Sequence, residues 1–144
     1  MENRYKSLAV VRLGTKQKIF NKRIPFLLLM MNEEPYAARL AYALRSPEEA
    51  KRLGFKNSNH TRYLAIDIDL FRRADSGKFV YLSSTDAHRA FGDWWIKGTG
   101  YYSLNSLEKV KDGEGIRGAE EVTFIWGGEF GDGNHYSVLH RGVK

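Results

Sequence analysis

The sequence predicts an α+β fold, a small antiparallel sheet with helices packed on it. Three observations carry that reading. Tyr63 to Phe71 alternates strictly. Leu64, Ile66, Ile68 and Leu70 fall on one face, and Ala65, Asp67 and Asp69 on the other, the period of two of a strand with one buried side. Phe79-Val80-Tyr81-Leu82 follows across Asp75-Ser76-Gly77, which reads as a hairpin. Ile19, Phe20, Ile24, Leu27, Leu28 and Met31 recur at helical spacing.

Taken in order, residues 15–32 form the first predicted helix, with Thr15 as its N-cap. Pro25 lies inside it, and an interior proline loses a hydrogen bond and crowds the preceding turn. The segment either kinks there or restarts as a shorter second helix with Pro25 in its first turn. Tyr36 to Leu44 is open between strand and helix. Ser46-Pro47-Glu48-Glu49 is a helix start, with serine as cap, proline first and glutamate third, and that short helix stops near Gly54. Thr85 to Ile96 reads as a helix capped by Ser84 or Thr85 and ended by Gly98. Residues 98–120 are polar and glycine-rich and read as a surface loop. Val122–Trp126 and Tyr136–Leu139 are strand-like and flank a turn-rich stretch.

The 144 residues, 42% hydrophobic with 8 Phe, 8 Tyr and 3 Trp, suffice for one core, and a single domain over 1–144 is expected. Cysteine is absent, which excludes disulfides and thiolate ligands, so any metal must be held by histidine nitrogen and carboxylate oxygen. No apolar stretch near Met1 resembles a signal peptide, and the longest apolar run, Ile24 to Met31, is too short to span a membrane. Synthesis in the cytoplasm is the expectation. The net charge of +6 favours anionic partners such as nucleic acid, a membrane surface or an acidic wall polymer. The basic residues are dispersed, however, and the reading taken is no nucleic acid, no stable membrane association, and a monomer.

Two of the four histidines stand in unusual settings. His60 precedes Asp67 by seven positions. That is about 10 Å of rise on a helix and roughly 20 Å or more on a strand, against metal bonds of about 2 Å. Only a chain reversal between them lets both hold one ion, and Asn59-His60-Thr61 has turn character. The second setting is Trp126-Gly127-Gly128-Glu129-Phe130-Gly131-Asp132-Gly133-Asn134-His135-Tyr136, whose glycines let the backbone fold tightly against a site. Asp132 and His135 are three apart, so a carboxylate can stand beside a metal that the imidazole binds. Each piece alone is ordinary: a polar turn histidine, a solvated strand edge, a Gly-Asp-Gly-Asn turn.

Together the two segments resemble the signature of the VanY-like zinc peptidases, which include bacterial D-Ala-D-Ala carboxypeptidases and dipeptidases and phage L-alanyl-D-glutamate endolysins. The family's first motif is Ser-x-His, two residues, Gly, x, Ala, x, Asp. Ser58, His60, Ala65 and Asp67 match it, and Tyr63 replaces the glycine. The second motif is Glu or Asp, two residues, then His and an aromatic, matched by Asp132, His135 and Tyr136. Leu40-Ala41-Tyr42-Ala43-Leu44-Arg45-Ser46 looks like the stretch that carries a substrate-binding arginine, here Arg45. The resemblance covers roughly residues 15–140.

It implies a zinc site in a cleft at the sheet. His60, Asp67 and His135 would hold Zn²⁺ with a fourth position open for water, whose pKa zinc lowers to about 7. Asp132 would be the catalytic base and acid. Arg45 would bind a substrate carboxylate or the oxyanion, and Ser58 would assist substrate binding. On the same footing the expected function is a peptidoglycan peptidase of endolysin type, cleaving the L-Ala–D-Glu bond of the wall's stem peptide after holin-dependent release. A D-Ala-D-Ala carboxypeptidase or dipeptidase is the enzymatic alternative, and a non-catalytic zinc-containing binding module the other. Arg45 could instead pair with Glu48 or Glu49. Asp69 is expected to be a solvated acid rather than a support for the metal, His88 a packing or surface histidine, and His140 no ligand.

Overall fold

The structure is a computed structural model, and it describes residues 11–42, 47–54, 59–97 and 122–144. The order of regular elements is α1 (Leu13–Met31), β1 (Tyr36–Tyr42), α2 (Pro47–Arg52), β2 (Ala65–Arg73), β3 (Phe79–Leu82), α3 (Arg89–Lys97), β4 (Phe124–Trp126) and β5 (His135–Val138). Short 3-10 turns lie at Asn59–Arg62, Asp86–His88 and Gly127–Phe130. The fold is α+β, and among the described residues it has a small open antiparallel sheet of five strands.

β2 is the axis of the sheet. One edge pairs with β1. The opposite edge is divided: β5 lies against Ala65–Asp67 and β3 against Leu70–Arg73. β4 extends the sheet beyond β5. The β1–β2 register slips between Leu40, opposite Ile68, and Tyr42, opposite Asp67. Irregularities of this kind bend a strand and re-aim side chains, and this one sits beside a residue of the site.

The alternation read in β2 holds. Leu64, Ile66, Ile68 and Leu70 are buried against α1 and α3, which leaves Asp67 and Asp69 on the opposite face. α1 contributes Phe20, Leu27, Met30 and Met31 to this core, and α3 contributes Phe91, Trp94 and Trp95. The Trp95 ring meets Phe20, Phe124 and Tyr136 edge to face, with centroids 5.7, 5.3 and 5.9 Å away, the arrangement that aromatic quadrupoles favour. Its indole N–H donates to the Ser137 carbonyl at 3.0 Å, so burial leaves that donor satisfied.

Several boundaries move. α1 begins at Leu13, so Thr15 lies inside it; Arg12 takes the cap position and makes no side-chain capping bond. Pro25 neither ends the helix nor starts another, and α1 runs through it. Pro25 is on the exposed side, as is Asn21, whose carbonyl loses its helical donor there, so water can take that donor's place. Tyr36–Tyr42 resolves as a strand. The Thr85–Ile96 segment opens as a 3-10 turn, with Ala87 N–H donating to Ser84 Oγ at 3.2 Å, and becomes α-helical at Arg89. Ser46, Gly98 and the loop over 98–120 lie outside the described residues. Among those that are described, no helix is long and apolar enough to cross a membrane.

Candidate metal centre

Three separate pieces of chain bring His60, Asp67 and His135 together. Asp67 and His135 are direct cross-strand partners in the β2–β5 ladder, so their side chains rise from the same face of the sheet. His60 arrives from the 3-10 turn before β2. That turn is closed by the Leu64 N–H donating to the Asn59 carbonyl at 2.9 Å. Tyr63, inside the reversal, has φ +57, in the left-handed region. This is the chain reversal that the seven-residue spacing required.

His135 Nδ1 lies 3.0 Å from Asp67 Oδ1, and His60 Nε2 lies 3.4 Å from the same oxygen. One donor atom from each of the three residues lies within 4.8 Å of the other two. With bonds of about 2.0–2.1 Å, a tetrahedral ion separates its donors by about 3.3 Å. The two measured edges bracket that value. The rings of His60 and His135 stand 5.3 Å apart at 67°, so neither blocks the other's approach. The two imidazoles are 4% and 8% exposed. This buried His60–Asp67–His135 group could hold a metal ion.

The electrostatics favour a cation. Burial pushes the Asp67 carboxyl up, but the hydrogen bonds and charges of His135 and His60 outweigh it and hold the pKa at about 2. Asp67 is therefore an anion across the physiological range, the form in which carboxylates bind metals.

The glycine run has a specific reason at Gly127. A Cβ there would sit 2.1 Å from the Asp132 carbonyl oxygen and 2.7 Å from His135 Cβ. The 127–132 turn closes through the Asp132 N–H on the Gly127 carbonyl at 2.8 Å, and His135 N–H donates to the Asp132 carbonyl at 3.2 Å. Gly127 thus lets the chain fold flat under the second histidine. Asp132 itself reaches solvent, yet partial burial and the neighbouring Asp67 charge raise its pKa, opposed by His135 and His60. It stands within electrostatic reach of all three residues.

Arg45 and Ser58 lie outside the described residues. Glu49, one of the acids weighed as Arg45's partner, is bound by Arg52 at 2.6 Å. Asp69 is not the solvated acid expected: Arg39 clamps it at 2.7 Å, and Tyr81 Oη lies 3.4 Å away. Its alternation put it on the metal face of the strand, but its opposite number in β1, Arg39, takes its charge. His88 is buried, with Nδ1 2.8 Å from Tyr136 Oη, a packing role. His140 Nδ1 faces Lys16 Nζ at 3.2 Å and stands apart from the triad.

Two participants had escaped the sequence reading. Asn59, 1% exposed, ties the His60 turn to the Val138 and Val143 carbonyls at 2.8 and 2.9 Å. Phe130, an exposed ring, packs 6.0 Å from the His135 ring. The turn-prone Asn before His60 was visible in sequence, but nothing in the spacing marks Phe130. No protein-family model matches the chain, and no curated protein matches it.

Proposed function

We propose that this chain is a zinc-dependent peptidase of the VanY-like kind, acting on the stem peptide of the bacterial cell wall. The observation that carries the reading is the convergence of two imidazoles and a carboxylate from three separate segments, with the carboxylate oxygen at the spacing of a tetrahedral ion's donors from each imidazole. The left-handed Tyr63 adds support, because the family motif has glycine at that position, and glycine is the residue that adopts positive φ without strain. The donor set fits zinc, since two nitrogens and one oxygen are a common catalytic combination that keeps a coordination position open.

Zinc bound there would supply a Lewis acid that polarises the scissile carbonyl and makes water nucleophilic at neutral pH. The chain's own residues do the rest. His60, Asp67 and His135 hold the ion. Asp132, its carboxyl raised by burial, takes a proton from the attacking water and passes it to the leaving amine, for which a pKa nearer neutrality suits it better than that of a free aspartate. Arg45 and Ser58 are assigned to binding substrate. The Phe130 ring, exposed beside His135, gives the substrate an apolar wall.

The test is metal analysis of the purified protein, paired with hydrolysis of defined muropeptides read by mass before and after chelation. Cleavage between L-Ala and D-Glu supports the endolysin form, and release of terminal D-Ala supports a carboxypeptidase. Asp132→Asn should retain zinc and lose at least about 100-fold in turnover. A variant that keeps full function would leave a binding module in place of an enzyme.

A further inference from the structure

The triad poses a question of protons. His135 presents Nδ1 to Asp67 and Nε2 to the main-chain oxygen of Lys144, 3.3 Å away. A main-chain oxygen only accepts hydrogen bonds, so Nε2 carries the hydrogen in that contact. The anionic Asp67 oxygen, 3.0 Å from Nδ1, also only accepts, so without a metal the two oxygens compete for the hydrogen of the ring. A cation bound between Asp67 and His135 takes the place of hydrogen at Nδ1, and the Lys144 oxygen then holds the Nε2–H and with it the plane of the ring. The Lys144 oxygen therefore suits a ring that offers Nδ1 to metal.

That oxygen is itself held in place. After β5 the chain turns back through Arg141 and Gly142, with φ of +48 and +77. Positive φ at both central residues is what the tightest hairpin turns require. His140 and Val143 close the turn with reciprocal backbone bonds of 3.0 and 2.9 Å. Asn59, the residue before His60, donates to the Val143 carbonyl. At the other end of the hook, Lys16 Nζ donates to the Leu139 carbonyl at 2.9 Å. Residues 143–144 thus touch both histidine ligands, one through the neighbouring Asn59 and the other through its ring.

We infer that residues 140–144 form a positioning hook for the metal centre, in which the Lys144 main-chain oxygen accepts the Nε2–H of the metal-bound His135 and so keeps Nδ1 directed to the ion. This use of the hook rests on the triad being a metal site. Outer contacts of this kind orient ligating histidines, and losing one typically weakens metal binding about 10- to 100-fold.

The experiment compares four proteins: wild type, Lys144→Ala, a chain stopped after Val143, and Gly142→Val. Lys144→Ala keeps the oxygen. The stopped chain removes it, and valine at φ +77 opposes the turn that holds it. Zinc affinity is measured by chelator competition. The His135 tautomer is read by nitrogen NMR on the zinc-loaded proteins. Thermal midpoints of the metal-free proteins check folding.

Wild type and Lys144→Ala should show one tautomer, Nε2–H, and matching affinity. The other two should show a mixed His135 signal and bind zinc about 10- to 100-fold more weakly, and the stopped chain, which carries no strained residue, should do so at a midpoint close to wild type. The inference is overturned if the stopped chain and Gly142→Val keep both tautomer and affinity, or if Lys144→Ala falls as far as the stopped chain. Zinc binding by a wild type in the Nδ1–H form overturns the hook alone. A wild type that takes up no zinc overturns the metal reading and the hook's purpose with it, whereas equal zinc affinity in wild type and the stopped chain overturns the hook and leaves the metal reading standing.

Discussion

Gly127→Ala puts a methyl group where the site has no room for one. The new carbon would lie 2.1 Å from the Asp132 carbonyl oxygen. Carbon–oxygen contacts settle at about 3.3 Å or more, so the 131–135 backbone must retreat by roughly 1 Å. The retreat also opposes the 2.8 Å bond between the Asp132 N–H and the Gly127 carbonyl. Overpacking costs about 1–3 kcal/mol and the lost bond about 1 kcal/mol, so the folded state should lose about 2–4 kcal/mol. At about 2–4 °C per kcal/mol, the midpoint of a chain this size falls by roughly 4–16 °C.

Metal binding should suffer as well, because His135 is carried on the displaced segment and a site tolerates only about 0.5 Å of misplacement. Gly131→Ala is the control from the same glycine run. It has φ +82 but open space around it, so it costs about 1–2 kcal/mol of left-handed strain and leaves zinc affinity near wild type. The assay is thermal unfolding by circular dichroism alongside zinc titration with a competing dye. If Gly127→Ala bound zinc like wild type and unfolded within about 2 °C of it, the close approach assigned to Gly127 would be wrong.

Zinc at 100 times its dissociation constant should stabilise the protein by about 2.7 kcal/mol. Chelator should remove that increment, and His60→Ala, Asp67→Ala and His135→Ala should each lack it in differential scanning fluorimetry. His88 should make stability depend on pH. Burial holds its pKa at about 4 against an ordinary 6.5, so the unfolded chain takes up the proton first on acidification. Its contribution is fully present above pH about 6.5 and shrinks by about 3 kcal/mol as pH falls to about 4. Urea titrations of metal-free wild type and His88→Gln across that window should show the variant with a flatter profile, and equal slopes would contradict the assignment. Tyr63→Gly relieves a left-handed residue whose side chain is 56% exposed and loses little packing. The strain released, about 1–2 kcal/mol, exceeds glycine's entropic cost of about 0.5–1 kcal/mol, so a small rise in the thermal midpoint is expected.

Much of the fold was legible because its elements carry local signals. β2 showed its buried and exposed faces through the alternation of Leu64–Leu70. β3 showed its ends through the Asp75-Ser76-Gly77 turn, and α2 through Pro47 and Gly54. Legibility failed where local rules compete. Thr15 has the chemistry of a cap, but the apolar face of α1 reaches back to Leu13, and packing extended the helix past it. Pro25 has the chemistry of a helix breaker, yet its position on the solvent side removes most of the penalty.

By itself, the sequence determined which atoms are available to bind a cation: with no cysteine, only imidazoles and carboxylates, and among them the motif residues His60, Asp67 and His135. It also determined the strand face that carries Asp67, since side-chain direction along a strand follows from backbone geometry alone. Tertiary structure decided that Asp67 and His135 are partners across a ladder and that His60 swings back to meet them. It decided too that Asp69, two residues along the same face, is taken by Arg39. Register, turn closure and cross-strand pairing join residues distant in the chain, and no local preference encodes those distances. Which nitrogen of His135 faces Asp67 was beyond reach for the same reason, since the other nitrogen stands 3.3 Å from an oxygen nine residues away, across a turn built on two positive φ angles.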